Sequence, residues 1–114
     1  MEVAIGRNVA ARGDVYLIQL DPTRGSEIRK TRPCLVVSPD ELNEHLRTVI
    51  VAPMTTGAQA YPWRVSCRFQ GRNGFVATDQ LRTVDVERLA RRLGRFTPKA
   101  LAAVLSTLEE MFAP

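Results

Sequence analysis

The sequence predicts a mainly β domain, a small barrel or half-barrel with short helices and one C-terminal α-helix. Three observations carry this. Short apolar, β-branched runs recur along the chain, bounded by Gly, Pro, Asn or Asp. The stretch from Trp63 alternates apolar and polar residues. The last segment, from Thr97, carries a well-defined apolar stripe at helical spacing. At 114 residues the chain suits one domain.

Residues 1–11 read as a loose N-terminal segment, with the domain spanning 12–114. Val15 to Leu20 is a strand stopped by Asp21-Pro22. The segment through Thr31 is polar and basic. Pro33-Cys34-Leu35-Val36-Val37 is apolar on both faces and so a buried strand. Ser38-Pro39-Asp40-Glu41 reads as a helix start with Ser38 as N-cap, the helix ending near Leu46. Thr48 to Ala52 is a third strand ended by Pro53, followed by a loop from Thr55 to Pro62.

From Trp63, alternation puts Trp63, Val65, Cys67 and Phe69 on one face and Arg64, Ser66, Arg68 and Gln70 on the other. Asn73-Gly74 is the expected hairpin turn into Phe75-Val76-Ala77. Asp85 caps a single turn, and Arg92 to Phe96 forms a short last strand. Thr97 caps the final helix and Pro98 starts it. Leu101, Val104, Leu105, Leu108, Met111 and Phe112 form its packing stripe.

Composition removes several classes of function. The longest apolar run is about five to six residues, against roughly 20 for a membrane span. No signal-peptide pattern is visible, so a cytoplasmic protein is expected. One histidine, His45, and two cysteines, Cys34 and Cys67, cannot supply a closed metal site, and both thiols are expected in the core. Arg12-Gly13-Asp14 runs straight into a strand and so does not read as an adhesion loop.

Charge is more informative. The net charge is +4, and fourteen of sixteen basic residues are arginine. Arginine's planar fork suits phosphate, although genome composition and a solvated face would leave the same excess. Position decides between them. Arg24, Arg29, Lys30 and Arg32 crowd one loop between two core strands, opposed only by Glu27. Such a loop would cradle phosphates on a rigid base, and equally would make a solubilising tip.

Arg32 is held extended by Pro33 where loop becomes strand. Thr55 and Thr56 lie just past the third strand, in an analogous place. An arginine and a threonine at neighbouring strand ends would clamp one phosphodiester. No histidine or metal is needed there if the nucleophile is an RNA's own 2′-OH.

The ordered set of segments resembles a known family. Arg12-Gly13-Asp14-Val15, Gly25-Ser26-Glu27, Arg32-Pro33-Cys34-Leu35-Val36-Val37-Ser38, Pro53-Met54-Thr55-Thr56, Gly74-Phe75-Val76, Asp79-Gln80-Leu81-Arg82-Thr83-Val84-Asp85 and Arg88-Leu89 look like the MazF/PemK (Kid) toxins of bacterial type II toxin–antitoxin systems. The resemblance implies a homodimeric SH3-like β-barrel with a terminal helix. It further implies sequence-specific, metal-independent cleavage of single-stranded RNA, mRNA foremost, and growth arrest. The products would carry 2′,3′-cyclic phosphate and 5′-OH ends. It places the catalytic arginine on Arg32, the catalytic threonine on Thr55, and site-lining positions on Ser26 and Gln80. A cognate MazE-like antitoxin would restrain the activity by laying its tail in the RNA groove.

Together these readings give Arg32 and Thr55 as catalytic residues. Arg24, Ser26, Glu27, Arg29, Lys30, Thr56 and Gln80 are the RNA-binding set, with no cofactor. Arg32 suits charge stabilisation and proton donation to the leaving 5′-oxygen rather than base catalysis, because a charged guanidinium has no acceptor, and the base stays unassigned. Asp79 suits a structural acceptor, and the loop from Thr56 to Pro62 suits tuning of sequence preference. Tyr61 and Trp63 are candidates for base stacking, Trp63 being better suited to the core. The rival reading is a CcdB-like gyrase poison of the same fold, which would need neither Arg32-Pro33 nor Thr55. A non-catalytic RNA-binding barrel is a third.

Overall fold

The computed structural model describes residues 10–56 and 61–114. The loop expected to tune sequence preference falls largely outside these residues, as do residues 1–9. Seven strands form an antiparallel sheet: β1 (Asp14–Gln19), β2 (Thr31–Val36), β3 (Thr48–Thr55), β4 (Arg64–Phe69), β5 (Arg72–Ala77), β6 (Arg82–Asp85) and β7 (Leu89–Arg95). Helix α1 (Asp40–His45) is short, and α2 (Pro98–Phe112) ends the chain. The strand path is β4-β5-β3-β2-β1-β7, with β6 also paired to β3.

The middle of this sheet buries both faces, as the doubly apolar run at 33–37 predicts. Cys34 and Val36 of β2 join Val49 and Val51 of β3, Ile18 and Leu20 in one cluster. Leu35, Val37, Ala52 and Met54 point the other way, to Val76, Phe96 and Val104. Ala10 packs into the first cluster, so the part of the N-terminal segment that is described here is anchored.

β3 runs past the expected stop at Pro53. One edge pairs with β2 from Val51 to Pro53, while the other pairs with β6 up to Val51 and with β5 from Met54. Pro53 falls at the exchange of partners, where a missing N–H costs the sheet least.

The sheet does not close into a barrel. Among the described residues no ladder joins β4 to β7, the two ends of the path. Side chains bridge them instead. Gln70 Nε2 donates to Leu93 O at 2.8 Å, and the Phe69 and Phe96 rings lie 5.9 Å apart. A Cβ on Gly94 would meet Phe69 Cζ at 3.0 Å, so the ring packs directly on the main chain of β7.

Several local expectations are corrected. The β4–β5 turn is Gln70-Gly71, both at positive φ (52° and 78°), and Phe69 faces Arg72 across it. Asn73-Gly74 lies inside β5, and Gly74 serves a different constraint. A Cβ there would sit 2.6 Å from Thr55 O, so glycine permits close approach of β5 to the end of β3.

Trp63 precedes the strand at φ 69° and is 40% exposed, turned out of the pleat that Val65, Cys67 and Phe69 follow. Ser38 does not cap α1. It is buried, accepting from Ile50 N and donating to Asn43 Oδ1, and the helix begins after Pro39. β7 starts three residues before the expected Arg92.

The expected caps at Asp85 and Thr97 are present, accepting from Glu87 N and Ala100 N. On α2, Val104 is the fully buried member of the stripe, Leu101 and Leu108 flank it, and Phe112 is 70% exposed. Gly13, at φ 98°, lies against Leu101. Arg12-Gly13-Asp14 is thus a packed strand entry.

Val104→Asp places a charge where no partner exists, at a cost of about 3–5 kcal/mol. That is a large share of the roughly 5–15 kcal/mol stability of a small domain. Circular dichroism should show the variant largely unfolded at 25 °C, while Leu105→Asp, half-buried and outside the core cluster, should remain folded. Gly74→Ala should lower the denaturant midpoint by the equivalent of about 1–3 kcal/mol. An unchanged midpoint would mean that β5 can move off Thr55 freely.

Candidate functional site

The β2–β3 ladder pairs Val36 with Val51, Leu35 with Ala52 and Cys34 with Pro53. Extended by two positions, that register sets Arg32 opposite Thr55. Both line one cleft of about 370 Å³, between the start of β2, the end of β3 and the tip of the β4–β5 hairpin. Thr56 lines it too, above a floor that includes Met54, Cys67 and Phe69.

Arg32 is held without being consumed. Its Nε donates to Arg29 O at 3.0 Å, while the two terminal nitrogens make no hydrogen bond or ion pair among the described residues. An arginine fixed at Nε presents its remaining donors as a planar fork, the geometry that grips two oxygens of one phosphate. Thr55 is held by its ladder with Phe75 and by the close passage of Gly74.

Sequence reasoning missed the hairpin's share of this cleft. Gln70, Arg72 and Asn73 line it, and Arg72 adds an exposed cation with no partner among the described residues. The signal was present in the alternation that carries β4 to its turn. Reading the turn at Asn73 moved these residues away from Thr55.

Ser26, Glu27 and Gln80 meet elsewhere, in a second cleft of about 400 Å³ that Asp79, Leu81 and Arg82 also line. Gln80 comes from the 3₁₀ turn after β5 and is spent on the loop's main chain. Its Oε1 accepts from Ile28 N at 2.7 Å, and its Nε2 donates to Ser26 O at 3.4 Å. Glu27 Oε1 accepts from Arg24 N at 2.6 Å, so its carboxylate ties the turn. Arg24, Arg29 and Lys30 are exposed and line neither cleft.

Other arginines are committed to structure. Arg92 and Arg95 both reach buried Asp14, at 3.2 and 2.9 Å. Arg64, expected on an open basic face with Arg68, is instead bidentate to Asp79 at 2.6 and 2.9 Å and lies over the Tyr61 ring. Its hydrogen bonds hold the Asp79 carboxyl below the usual range. That bears out Asp79 as a structural acceptor. Burial pushes the Cys34 thiol up to about 12 and raises that of Cys67, so neither is a ready nucleophile at neutral pH. His45 stands on α1, its Nδ1 at 2.7 Å from Glu41 O, outside both clefts.

The cleft thus offers a fixed cationic fork, a hydroxyl across the ladder and further donors from a hairpin. The side chains lining it include no carboxylate and no imidazole. Such a lining recognises a phosphodiester and opposes negative charge that develops on it.

Comparison with known proteins agrees with this chemistry. The endoribonuclease PemK of Escherichia coli is 38% identical over 103 residues, spanning 85% of this chain and 77% of that protein. The endoribonuclease toxin MazF of Escherichia coli K12 is 32% identical over 101 residues, spanning 88% and 91%. Crystalline MazF from Deinococcus radiodurans superposes with a TM-score of 0.80 at 29% identity, covering 91% of this chain and 96% of that one. An endoribonuclease in complex with its cognate antitoxin, from a mycobacterial species, gives a TM-score of 0.78 at 25% identity, covering 92% and 97%. Over residues 11–112 the sequence matches the PemK-like, MazF-like toxins of type II toxin–antitoxin systems, and the chain belongs to that family.

Proposed function

We propose that this protein is the toxin of a type II toxin–antitoxin pair, a sequence-specific endoribonuclease that cuts single-stranded RNA, chiefly mRNA, without a metal. The carrying observation is the open guanidinium fork of Arg32 in one cleft with Thr55. In the reaction the 2′-oxygen attacks the adjacent phosphorus and the bond from phosphorus to the 5′-oxygen breaks. The ends are a 2′,3′-cyclic phosphate and a 5′-OH.

Arg32 opposes the charge on the non-bridging oxygens and donates the proton that the leaving 5′-oxygen takes, recovering it from solvent. Thr55 adds a hydrogen bond and fixes the phosphate. Among the described residues lining the cleft there is no carboxylate or imidazole, and the base for the 2′-OH proton is left unassigned. Thr56 and the basic loop, through Arg24, Arg29 and Lys30, hold flanking phosphates, while Ser26, Glu27 and Gln80 shape the second cleft for the same strand.

The domain spans 12–114 and is read as an SH3-like half-barrel, opened between β4 and β7. A homodimer would extend the groove across two copies. The relatives that are complexed with antitoxins support a MazE-like partner. In this reading its tail lies in the groove and restrains the toxin. The reaction belongs in the cytoplasm, where mRNA is found. No helix among the described residues is long and apolar enough to cross a membrane.

Incubation of the purified protein with a long transcript in EDTA, with ends mapped by primer extension, tests the reading. Discrete cuts with cyclic-phosphate ends are expected. Arg32→Ala should lower the cleavage rate by about 10²–10³. Thr55→Val, which deletes one hydrogen bond, should lower it by about tenfold. Intact RNA together with inhibited gyrase supercoiling would overturn the proposal.

Asp79 gives a second check, on acidity. Its carboxyl sits below the ordinary value, so its stabilising contribution is complete above the unfolded-state pKa and fades as pH falls through the lower folded-state value. Asp79→Asn should therefore lower the melting temperature by a constant amount near neutrality, with the difference closing only in strong acid. Cleavage should persist near the native rate at pH 7. Loss of cleavage as complete as in Arg32→Ala would instead make Asp79 the base.

A further inference from the structure

The loop between β1 and β2 carries Arg24, Arg29 and Lys30 at the surface, and a mobile cationic loop must lose entropy when it binds. What fixes its main chain therefore bears on affinity. Two guanidinium groups from distant sequence converge on its root. Arg82 NH1 donates to Leu20 O at 2.7 Å. Arg88 NH1 donates to Gln19 O and to Asp21 O, each at 3.2 Å. Three consecutive carbonyls, where β1 becomes loop, are thus all capped by arginine.

Each arginine is itself well placed. Arg82 is paired with Val51 in the β3–β6 ladder, and Arg88 closes the turn that Asp85 caps. Neither is ion-paired to a carboxylate among the described residues, so each brings its positive charge uncompensated to the base of the loop. Neither lines the cleft that holds Arg32 and Thr55; Arg82 lines the second cleft, so Arg88, outside both, is the cleaner test of the brace.

We propose that Arg82 and Arg88 are positioning residues for RNA binding, a brace that locks the loop's root so that its cations meet backbone phosphates already ordered. The proposal rests on the RNA reading above and deepens it. The brace acts on affinity, and the chemical step stays with Arg32 and Thr55.

Three measurements on the full chain test it. Anisotropy of a labelled, unstructured RNA oligonucleotide, in an Arg32→Ala background, reads affinity. Steady-state cleavage of a long transcript by the otherwise native protein separates KM from kcat. Hydrogen exchange over residues 19–30 reads the loop.

Arg82→Met and Arg88→Met keep the apolar stem but remove the donor and the charge. Each should weaken binding and raise KM by about tenfold, with kcat within about threefold, and should speed exchange in the loop. Arg88→Lys, which keeps the charge and can donate to both carbonyls, should recover most of the affinity. If Arg82→Met fails to fold, Arg88→Met carries the test from a surface turn.

Faster exchange with unchanged affinity would overturn the proposal. So would weaker binding with unchanged exchange, which is a charge effect alone, or a fall in kcat at constant KM. Native protein that neither binds nor cuts RNA sinks the functional reading and this proposal with it, whereas an unaltered loop in both Met variants sinks the brace alone.

Discussion

The register between β2 and β3 is the constraint on which the rest of the molecule depends. Three pairs, from Cys34–Pro53 to Val36–Val51, decide which side chains enter each apolar cluster. A slip of one residue would exchange the two faces, sending Cys34 and Val36 toward α2 and Leu35 toward Leu20. Both faces are packed, so neither exchange is tolerated. The same register, followed outward, brings Arg32 level with Thr55. Fold specificity and site geometry are therefore one piece of information, held by the most deeply buried strands of the sheet. The change of partner on β3 adds to this, because the hairpin of β4 and β5 reaches the site only where β6 has ended.

The arginine excess divides by the same logic. Arg64, Arg92 and Arg95 answer carboxylates, one of them the buried Asp14. Arg12, Arg82 and Arg88 answer main-chain carbonyls. Of the other described basic residues, Arg24, Arg29 and Lys30 lie on the β1–β2 loop and Arg68 and Arg72 on the hairpin, while Arg47, Arg91 and Lys99 stand elsewhere. A net charge of +4 is thus a poor guide to the surface potential, since six of the arginines are tied to carboxylates or carbonyls of the fold.

How far the sequence was legible follows from the range of the interactions involved. The Arg32 backbone was readable, because Pro33 restricts its neighbour locally. The burial of Cys34 to Val36, the caps at Asp85 and Thr97, and the terminal helix were readable for the same reason. The β4–β5 turn was not. Asn73-Gly74 satisfies the local preference for a tight turn, but Gly74 is needed beneath Thr55, a contact between residues far apart in sequence. Arg64 read as an exposed face residue until Asp79, fifteen positions on, claimed it. Ser38 has the right residue type for an N-cap, yet its hydroxyl is taken by β3 across the sheet. The packing of Phe69 on Gly94 and Phe96 joins residues more than twenty positions apart, which no local pattern announces. In each case a nonlocal contact overrode a sound local rule.

This division between rigid and adjustable parts bears on how one small domain cuts RNA selectively. Positioning of the reacting phosphate tolerates errors well below an ångström, and a two-strand register supplies that tolerance. Reading the sequence around it needs surfaces that follow a chain of variable bases, and loops supply those. Arg32 joins the two. It belongs to β2 by its backbone, while its Nε is held by the carbonyl of Arg29 in the loop. In the proposed reading the loop serves affinity and the strand register serves the chemical step, and Arg32 stands at their junction.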